Sequence, residues 1–402
     1  MNRLLANAWN DRAVYLVGLG HGATHWIAAL FYFVLPFMAR DLGLSYTQAG
    51  MFASIFSIAS LCANLFSGPL VDITGRRVMW QVLSLLIGAL ALFLMGSAGL
   101  YVVVAGLMVL IGASNNLWHP AAISYLSSGY PKKRGFALSI HALGANIGDA
   151  LAPLIMAPVL AVMSWRETVE LGSIAPIAVI FLLLIFVPRT GKKGSQVEQV
   201  SLGLGDYFKG VGSLLKDRAV LVLCFMSGFR NMAQTGLLVF LPLYLANEMG
   251  LSPFMMGIGL FAFQASGIIA APIAGIWSDK IGRRPLVMGG LGITTVMIVL
   301  LTFVDNPTIY VAGISIMGFG LFAIRPVVHS WLMDMTPPHM GGSATSLLFA
   351  VQSAMTVFAP LIGGALADRY GLISAFYFLG GTLLIANFLV IFLPKKSADV
   401  TV

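Results

Sequence analysis

Long apolar stretches recur along the chain, and short segments rich in Gly, Pro or charge separate them. About 20 apolar residues are enough for an α-helix to cross the hydrocarbon core of a bilayer. We therefore predict twelve membrane-spanning helices, called spans 1 to 12. They cover residues 13–38, 47–71, 78–97, 100–126, 134–160, 168–187, 219–247, 253–277, 285–304, 307–333, 342–366 and 372–393.

The composition agrees with this pattern. Of the 402 residues, 58% are hydrophobic and only 9% are charged, whereas about 25% are charged in ordinary soluble domains. So few charges cannot cover a water-facing surface, and twelve spans leave no room for a soluble domain. The fold class is therefore predicted to be an all-α, multi-pass membrane protein.

The positions of Lys and Arg predict the orientation of the chain. The termini and every second loop, counted from the N-terminus, contain 18 of the 23 basic residues, and the opposite loops contain only Arg40, Arg166 and Arg369. Because basic residues accumulate on the cytoplasmic side, we expect both termini in the cytoplasm. The net charge of +8 is then explained by the topology of the chain. The basic residues also favour contact with anionic lipid headgroups. We expect no nucleic-acid partner.

An internal repeat divides the chain into halves. Gly68–Arg77 reappears as Gly275–Arg284, displaced by 207 residues, and Ala152–Leu154 reappears as Ala359–Leu361 at the same displacement. The sequence therefore predicts two pseudo-symmetric six-helix bundles, at residues 1–188 and 219–402, joined by a cytoplasmic linker at 189–218. Since each half has an even number of spans, both halves have the same orientation, and a substrate site is expected between them near the bilayer midplane.

These two halves, the central linker and the repeated loop with Asp, Gly and paired Arg resemble the major facilitator superfamily of transporters, over essentially the whole chain. The resemblance implies that the loop is a cytoplasmic gate, held by its aspartate and its arginines. The alternative is a plain basic loop that only sets topology. The implied gating residues are Asp72, Arg76, Arg77, Asp279, Arg283 and Arg284.

Three further segments are similar to the fosmidomycin-resistance branch of bacterial drug exporters within that superfamily. They are Gly22–Trp26 in span 1, Asn116–Pro120 in span 4, and Gly144–Gly148 in span 5, which Ala152 and Pro153 follow. This resemblance implies export of the substrate rather than uptake, and a location in the inner membrane of a bacterium.

Polar residues are rare within the spans, and several form pairs one helical turn apart, on one helix face. Spans 1, 4, 7 and 10 each carry such a pair, and the superfamily resemblance implies that these four spans line the central cavity. For Asn115 and Gln234, a hydrogen bond to a neighbouring helix is an equally good explanation. The predicted substrate-binding residues are His21, His25, Asn115, His119, Arg230, Gln234, Arg325 and His329.

The charged residues within the spans suggest the chemistry of the substrate. Arg230 and Arg325 are two fixed positive charges, and Asp149 is the one clear carboxylate near the middle of a span. In a medium of low dielectric constant, this excess of positive charge favours an anionic or lone-pair-rich solute. We expect Asp149, together with His25 or His119, to couple transport to protons; the alternative is a permanent ion pair between Asp149 and an arginine.

Metal and cofactor sites are not predicted. His21 and His25 have the i, i+4 spacing of zinc ligands, but no acidic residue joins them from the same helix. Cys62 and Cys224 lie in different spans, which excludes a disulfide framework or a thiolate cluster.

The expected function is proton-coupled export of a small organic solute by alternating access, performed by a monomer in the bilayer. The chain has no His-Glu-Xaa-Xaa-His, Gly-Xaa-Ser-Xaa-Gly or Walker motif, and we therefore do not expect an enzyme. The first alternative is a proton-coupled importer, or symporter, of an organic anion. A membrane receptor and a metal-ion transporter are further alternatives.

Overall fold

A computed structural model describes residues 12–188, 212, 214–337 and 340–394, and it contains helices and no strands over these ranges. The predicted linker, residues 189–218, lies mostly outside the described residues. The helices are α1 (Arg12–Asp41), α2 (Tyr46–Thr74), α3 (Arg77–Met95), α4 (Tyr101–Gly129), α5 (Arg134–Val162), α6 (Trp165–Gly172), α7 (Ile174–Phe186), α8 (Arg218–Asn247), α9 (Pro253–Ile281), α10 (Arg283–Leu301), α11 (Pro307–Asp334), α12 (Gly341–Thr356), α13 (Phe358–Tyr370) and α14 (Ile373–Val390).

The predicted twelve-span fold is confirmed. Eleven segments of the described chain are long and apolar enough to cross a membrane, and α8, with 30 residues, is the twelfth span. Spans 6 and 11 each consist of two helices, α6 with α7 and α12 with α13. Span 6 starts at Trp165 rather than at 168 because Ser164 and Glu167 form a reciprocal capping box at its N-terminus.

The described chain forms two compact units. Unit 1 contains residues 1–43, 55–199 and 252–261, and unit 2 contains residues 44–54, 200–251 and 262–402. Unit 2 thus includes the first turns of α2, where the backbone N–H groups of Tyr46 and Thr47 donate hydrogen bonds to Asp368 on α13. In unit 1, Gly257 at the start of α9 contacts Pro153 and Ala157 on α5. The predicted division at 189–218 stays a prediction.

The internal repeat is visible in the bounds of the helices. Helices α2 and α9 have 29 residues each and are displaced by 207, whereas α3 and α10 have 19 residues each and are displaced by 206. The displacement between the two copies changes from 207 to 206 at the turn that joins α2 to α3 and, in the second copy, α9 to α10. There Gly75 and Gly282 have φ angles of +63° and +92°, a region of backbone conformation that favours glycine.

Glycines bring α1 and α5 of unit 1 into close contact. A Cβ atom at Gly144 would lie 1.9 Å from the carbonyl oxygen of Gly18, and one at Gly148 would lie 2.0 Å from that of Gly22. No side chain fits at these distances, so both positions need glycine for the helix backbones to touch. The small residues of span 5 therefore pack against span 1. This contact places Asp149 beside the polar residues of α1.

Replacing Gly148 with Val is expected to force α1 and α5 apart and to destabilise the protein by about 1–3 kcal/mol, the usual cost of overpacking. Gly106 on α4 is the matched control because a Cβ there meets no atom within 4 Å. Thermal unfolding of the detergent-purified protein measures both. An equal loss of unfolding temperature in Gly148→Val and Gly106→Val would contradict the contact.

Candidate functional site

Unit 1 contains a cluster of four histidines and one aspartate. His21 and His25 lie one turn apart on α1, His119 lies on α4, and α5 supplies His141 and Asp149. Three of the four predicted histidines thus come together with the predicted carboxylate. The glycine contact between α1 and α5 fixes the separation of the two helices that supply most of the cluster.

His21 is at the centre of the cluster and is only 5% exposed. Its Nδ1 atom lies 2.7 Å from the backbone oxygen of His141, and its Nε2 atom lies 3.3 Å from Nε2 of His119. The rings of His21 and His141 are stacked, with centroids 3.8 Å apart. His119 is held in turn by its Nδ1 atom, 2.9 Å from the backbone oxygen of Asn115. Asn115 therefore contributes its backbone to the cluster.

Asp149 contacts a histidine. Its Oδ2 atom lies 3.0 Å from Nδ1 of His25, and both side chains are about one quarter exposed. The coupling role of Asp149, and the alternative of a permanent pair with an arginine, stay predictions.

His141 is a cluster member that the sequence prediction missed. It is 5% exposed, and its Nε2 atom accepts a hydrogen bond from Nε1–H of Trp118 at 3.2 Å. A signal was present, since His141 precedes Gly148 by seven residues and Asp149 by eight, a spacing that places all three on one helix face.

Unit 2 contains the two predicted arginines. Arg230 on α8 is 2% exposed. One terminal nitrogen donates to the backbone oxygen of Leu321 at 2.8 Å, and the other donates to Oδ1 of Asn231 at 3.2 Å. Its Nε–H has no partner, and no carboxylate of the described chain lies within ion-pair distance. Arg230 is therefore a buried charge that neutral groups hold.

Arg325 lies on α11, one turn after Leu321, to which Arg230 donates its hydrogen bond. Arg325 is exposed and His329, one turn further, is half-buried. The charges of Arg230 and Arg325 act on each other, and both act on His329. On α8, Oε1 of Gln234 is buried without a hydrogen-bond partner. This group of unit 2 combines positive charge with unused hydrogen-bonding capacity.

The repeated loop differs in its contacts between the two copies. In the second copy, Nε of Arg283 donates to Asp334 at 3.1 Å and a terminal nitrogen donates to Asp279 at 2.5 Å. Arg284 donates to the backbone oxygen of Ile391 at 3.0 Å. Asp334 was not predicted as a gating residue, although it lies at the end of the neighbouring helix, where the resemblance implies a partner.

In the first copy, Arg77 donates to Ser128, which corresponds to Asp334 at a displacement of 206. The side chains of Asp72 and Arg76 are exposed. The first copy therefore has a neutral partner where the second has an ion pair. The gating roles of both copies stay predictions.

The chain matches known transporters over most of its length. The sequence profile described as Major Facilitator Superfamily matches residues 17–262 and 223–401. The fosmidomycin resistance protein of Escherichia coli is 24% identical over 389 residues, which are 94% of this chain and 92% of that protein. The sialic acid transporter NanX of Escherichia coli is 22% identical over 390 residues, 92% of each chain.

A similar fold occurs in a bacterial homologue of the human lysosomal transporter Spinster, solved in an inward-facing and occupied conformation. The TM-score is 0.79 at 14% sequence identity, and the alignment covers 96% of this chain and 97% of that chain. At this identity the likeness concerns the fold alone.

Proposed function

The chain belongs to the major facilitator superfamily, and on that basis we propose that it is a secondary active transporter that exports a small anionic or amphipathic organic solute in exchange for protons. Membership makes the chain a multi-pass membrane transporter rather than an enzyme. The direction, the coupling ion and the substrate class are the proposed part. We further propose that it works as a monomer in a bacterial inner membrane, with both termini in the cytoplasm.

The observation that carries the anionic substrate is the environment of Arg230. A buried charge without a counter-ion costs several kcal/mol, because neutral dipoles replace water incompletely. Arg325, an exposed residue on the neighbouring helix, adds a second positive charge. An anion bound at Arg325 would lower the electrostatic cost of both charges. We propose that Gln234 and His329 supply further hydrogen bonds to the same solute.

The pair of Asp149 and His25 supports proton coupling. The Asp149 carboxylate and the His25 imidazole lie 3.0 Å apart, which is close enough for a proton to pass between them. Since both side chains are partly exposed, water reaches the pair. We propose that His119, which contacts His21, relays protons to or from the pair.

The alternative is a proton-coupled importer of an organic anion. The relative named as a sialic acid transporter favours an organic acid as the solute, whereas the relative named as a resistance protein favours export. Both directions use the same arginines and the same carboxylate. The sign of proton movement during transport separates them.

A thermal-shift screen of the detergent-purified protein tests the substrate class. Small organic acids, phosphonates, neutral solutes and organic cations are added in parallel, because a solute that binds the folded state raises the unfolding temperature. We expect stabilisation by anions or amphipathic acids. Stabilisation by cations alone would overturn the proposal.

A further inference from the structure

We propose that His21, His25 and His119 form a binding site for a divalent transition-metal ion, represented by Zn²⁺. One ligand nitrogen from each histidine lies within 4.8 Å of the other two. The ring of His21 is nearly perpendicular to those of His25 and His119, at 87° to each. The ring of His21 is therefore stacked on neither of these two rings.

Hydrogen bonds to oxygen fix the tautomers of two of these histidines. Nδ1 of His21 faces the backbone oxygen of His141, and Nδ1 of His119 faces the backbone oxygen of Asn115. A carbonyl oxygen only accepts, so the nitrogen that faces it carries the proton. In each neutral ring, Nε2 then carries the lone pair, which is the form that binds a metal ion.

The two nitrogens that carry these lone pairs lie close together. Nε2 of His21 and Nε2 of His119 are 3.3 Å apart, a distance at which two acceptors repel unless a positive charge lies between them. Two nitrogens at about 2.0–2.1 Å from one tetrahedral Zn²⁺ are themselves about 3.3 Å apart. The spacing therefore fits two ligands of a single ion.

His25 completes the set through Asp149. Its Nδ1–H donates to the Asp149 carboxylate at 3.0 Å, so that its Nε2 atom carries the lone pair. A carboxylate that holds a ligand histidine in this way orients the ring and raises its basicity. Asp149 is thus a positioning residue for the metal rather than a ligand.

His141 is excluded as a fourth ligand. Its Nε2 atom accepts the indole N–H of Trp118, and its ring is stacked face to face on that of His21. Three histidines then bind the ion, and the fourth tetrahedral position stays open to water or to an anionic group. The pair on span 1 offers only two ligands, and the sequence therefore predicted no metal site. His119, on another helix, supplies the third ligand.

Zn²⁺ titration of full-length, metal-free protein without a histidine tag tests this site. We expect about one Zn²⁺ ion per chain, and a decrease in affinity of at least about tenfold in His119→Gln and in His21→Gln, as for loss of a coordinating or orienting group. The control His141→Phe should retain most of the wild-type affinity. The optical spectrum of the Co²⁺-loaded wild type, which needs no variant to fold, should be that of a tetrahedral site with nitrogen and oxygen ligands.

An unchanged Zn²⁺ affinity in His119→Gln, or a Co²⁺ spectrum equal to that of the free aqueous ion, would overturn the site. A proton shared between His21 and His119 would then explain the short distance between their Nε2 atoms. One consequence rests on the proposed function: bound Zn²⁺ occupies nitrogens that we assign to proton transfer and should inhibit proton-driven flux. Binding and flux are measured separately. Failure of the flux prediction with Zn²⁺ bound therefore counts against proton coupling and not against the metal site.

Discussion

Replacing Arg230 with Gln is expected to weaken binding of an anionic solute by about 10- to 100-fold. The substitution removes one of the two positive charges that attract the anion, and a loss of this size corresponds to about 1.4–2.8 kcal/mol of binding free energy. Gln retains a donor for the Leu321 oxygen, which limits damage to the fold. Titration of the best anion from the thermal-shift screen, followed by unfolding temperature, measures the change.

Two further variants make this result specific. Arg230→Lys keeps the charge without the forked geometry and should lose less affinity than Arg230→Gln. Arg369→Gln removes an exposed arginine that lies over the ring of Tyr370, and it should bind the anion as the wild type does. Equal anion affinity in Arg230→Gln and the wild type would remove Arg230 from the binding site.

Replacing Asp149 with Asn is expected to reduce transport driven by a pH gradient to the level measured without a gradient. Asn has nearly the shape of Asp, but it cannot take up or release a proton. The pair with His25 therefore loses the carboxylate that binds the proton. Exchange of labelled solute between two sides at equal pH should continue, because it needs no net proton movement. Both rates are measured in proteoliposomes.

Asp305→Asn is the matched control for this experiment, since Asp305 is exposed in the loop before α11. It should transport as the wild type does, with and without the gradient. Undiminished gradient dependence in Asp149→Asn would exclude Asp149 from proton coupling. The prediction for Arg230 would still stand, because the two groups lie in different units.

The apolar pattern predicted the helices because few structures other than a membrane-spanning helix can contain such long apolar stretches. Stretches such as residues 285–304 are too long and too apolar to fold in water, and each corresponds to a helix in the structure. The errors are at helix ends, where local hydrogen bonds decide. The capping box of Ser164 and Glu167 starts span 6 three residues early, a signal that the sequence already contained.

The candidate site was predictable only in part. Helical spacing placed His21 and His25 on one face, but it cannot show which residues of other helices approach that face. The contact of Gly148 with Gly22 brings α5 to α1, and this contact delivers Asp149 and His141 to the cluster. The distance between two helices depends on the side chains of both helices. The pattern along one helix therefore cannot predict that distance.

The charges show the same limit. The sequence identified Arg230 as buried within a span, but not the atoms that hold it. Its partners are the backbone oxygen of Leu321 and the adjacent Asn231. Every residue has a backbone oxygen, so the sequence does not show which one accepts the hydrogen bond. The absence of a carboxylate at Arg230 among the described residues is therefore a result of the structure.

Proton movement driven by the solute alone tests the central claim most directly. Proteoliposomes are loaded with the anion that stabilises the protein and with a pH-sensitive dye, and they are diluted into solute-free buffer at equal pH. Exchange of solute for protons predicts that the vesicle interior becomes acidic as solute leaves, in the wild type and not in Asp149→Asn. Loss of solute with no change of internal pH, or with a rise of pH, would contradict export in exchange for protons.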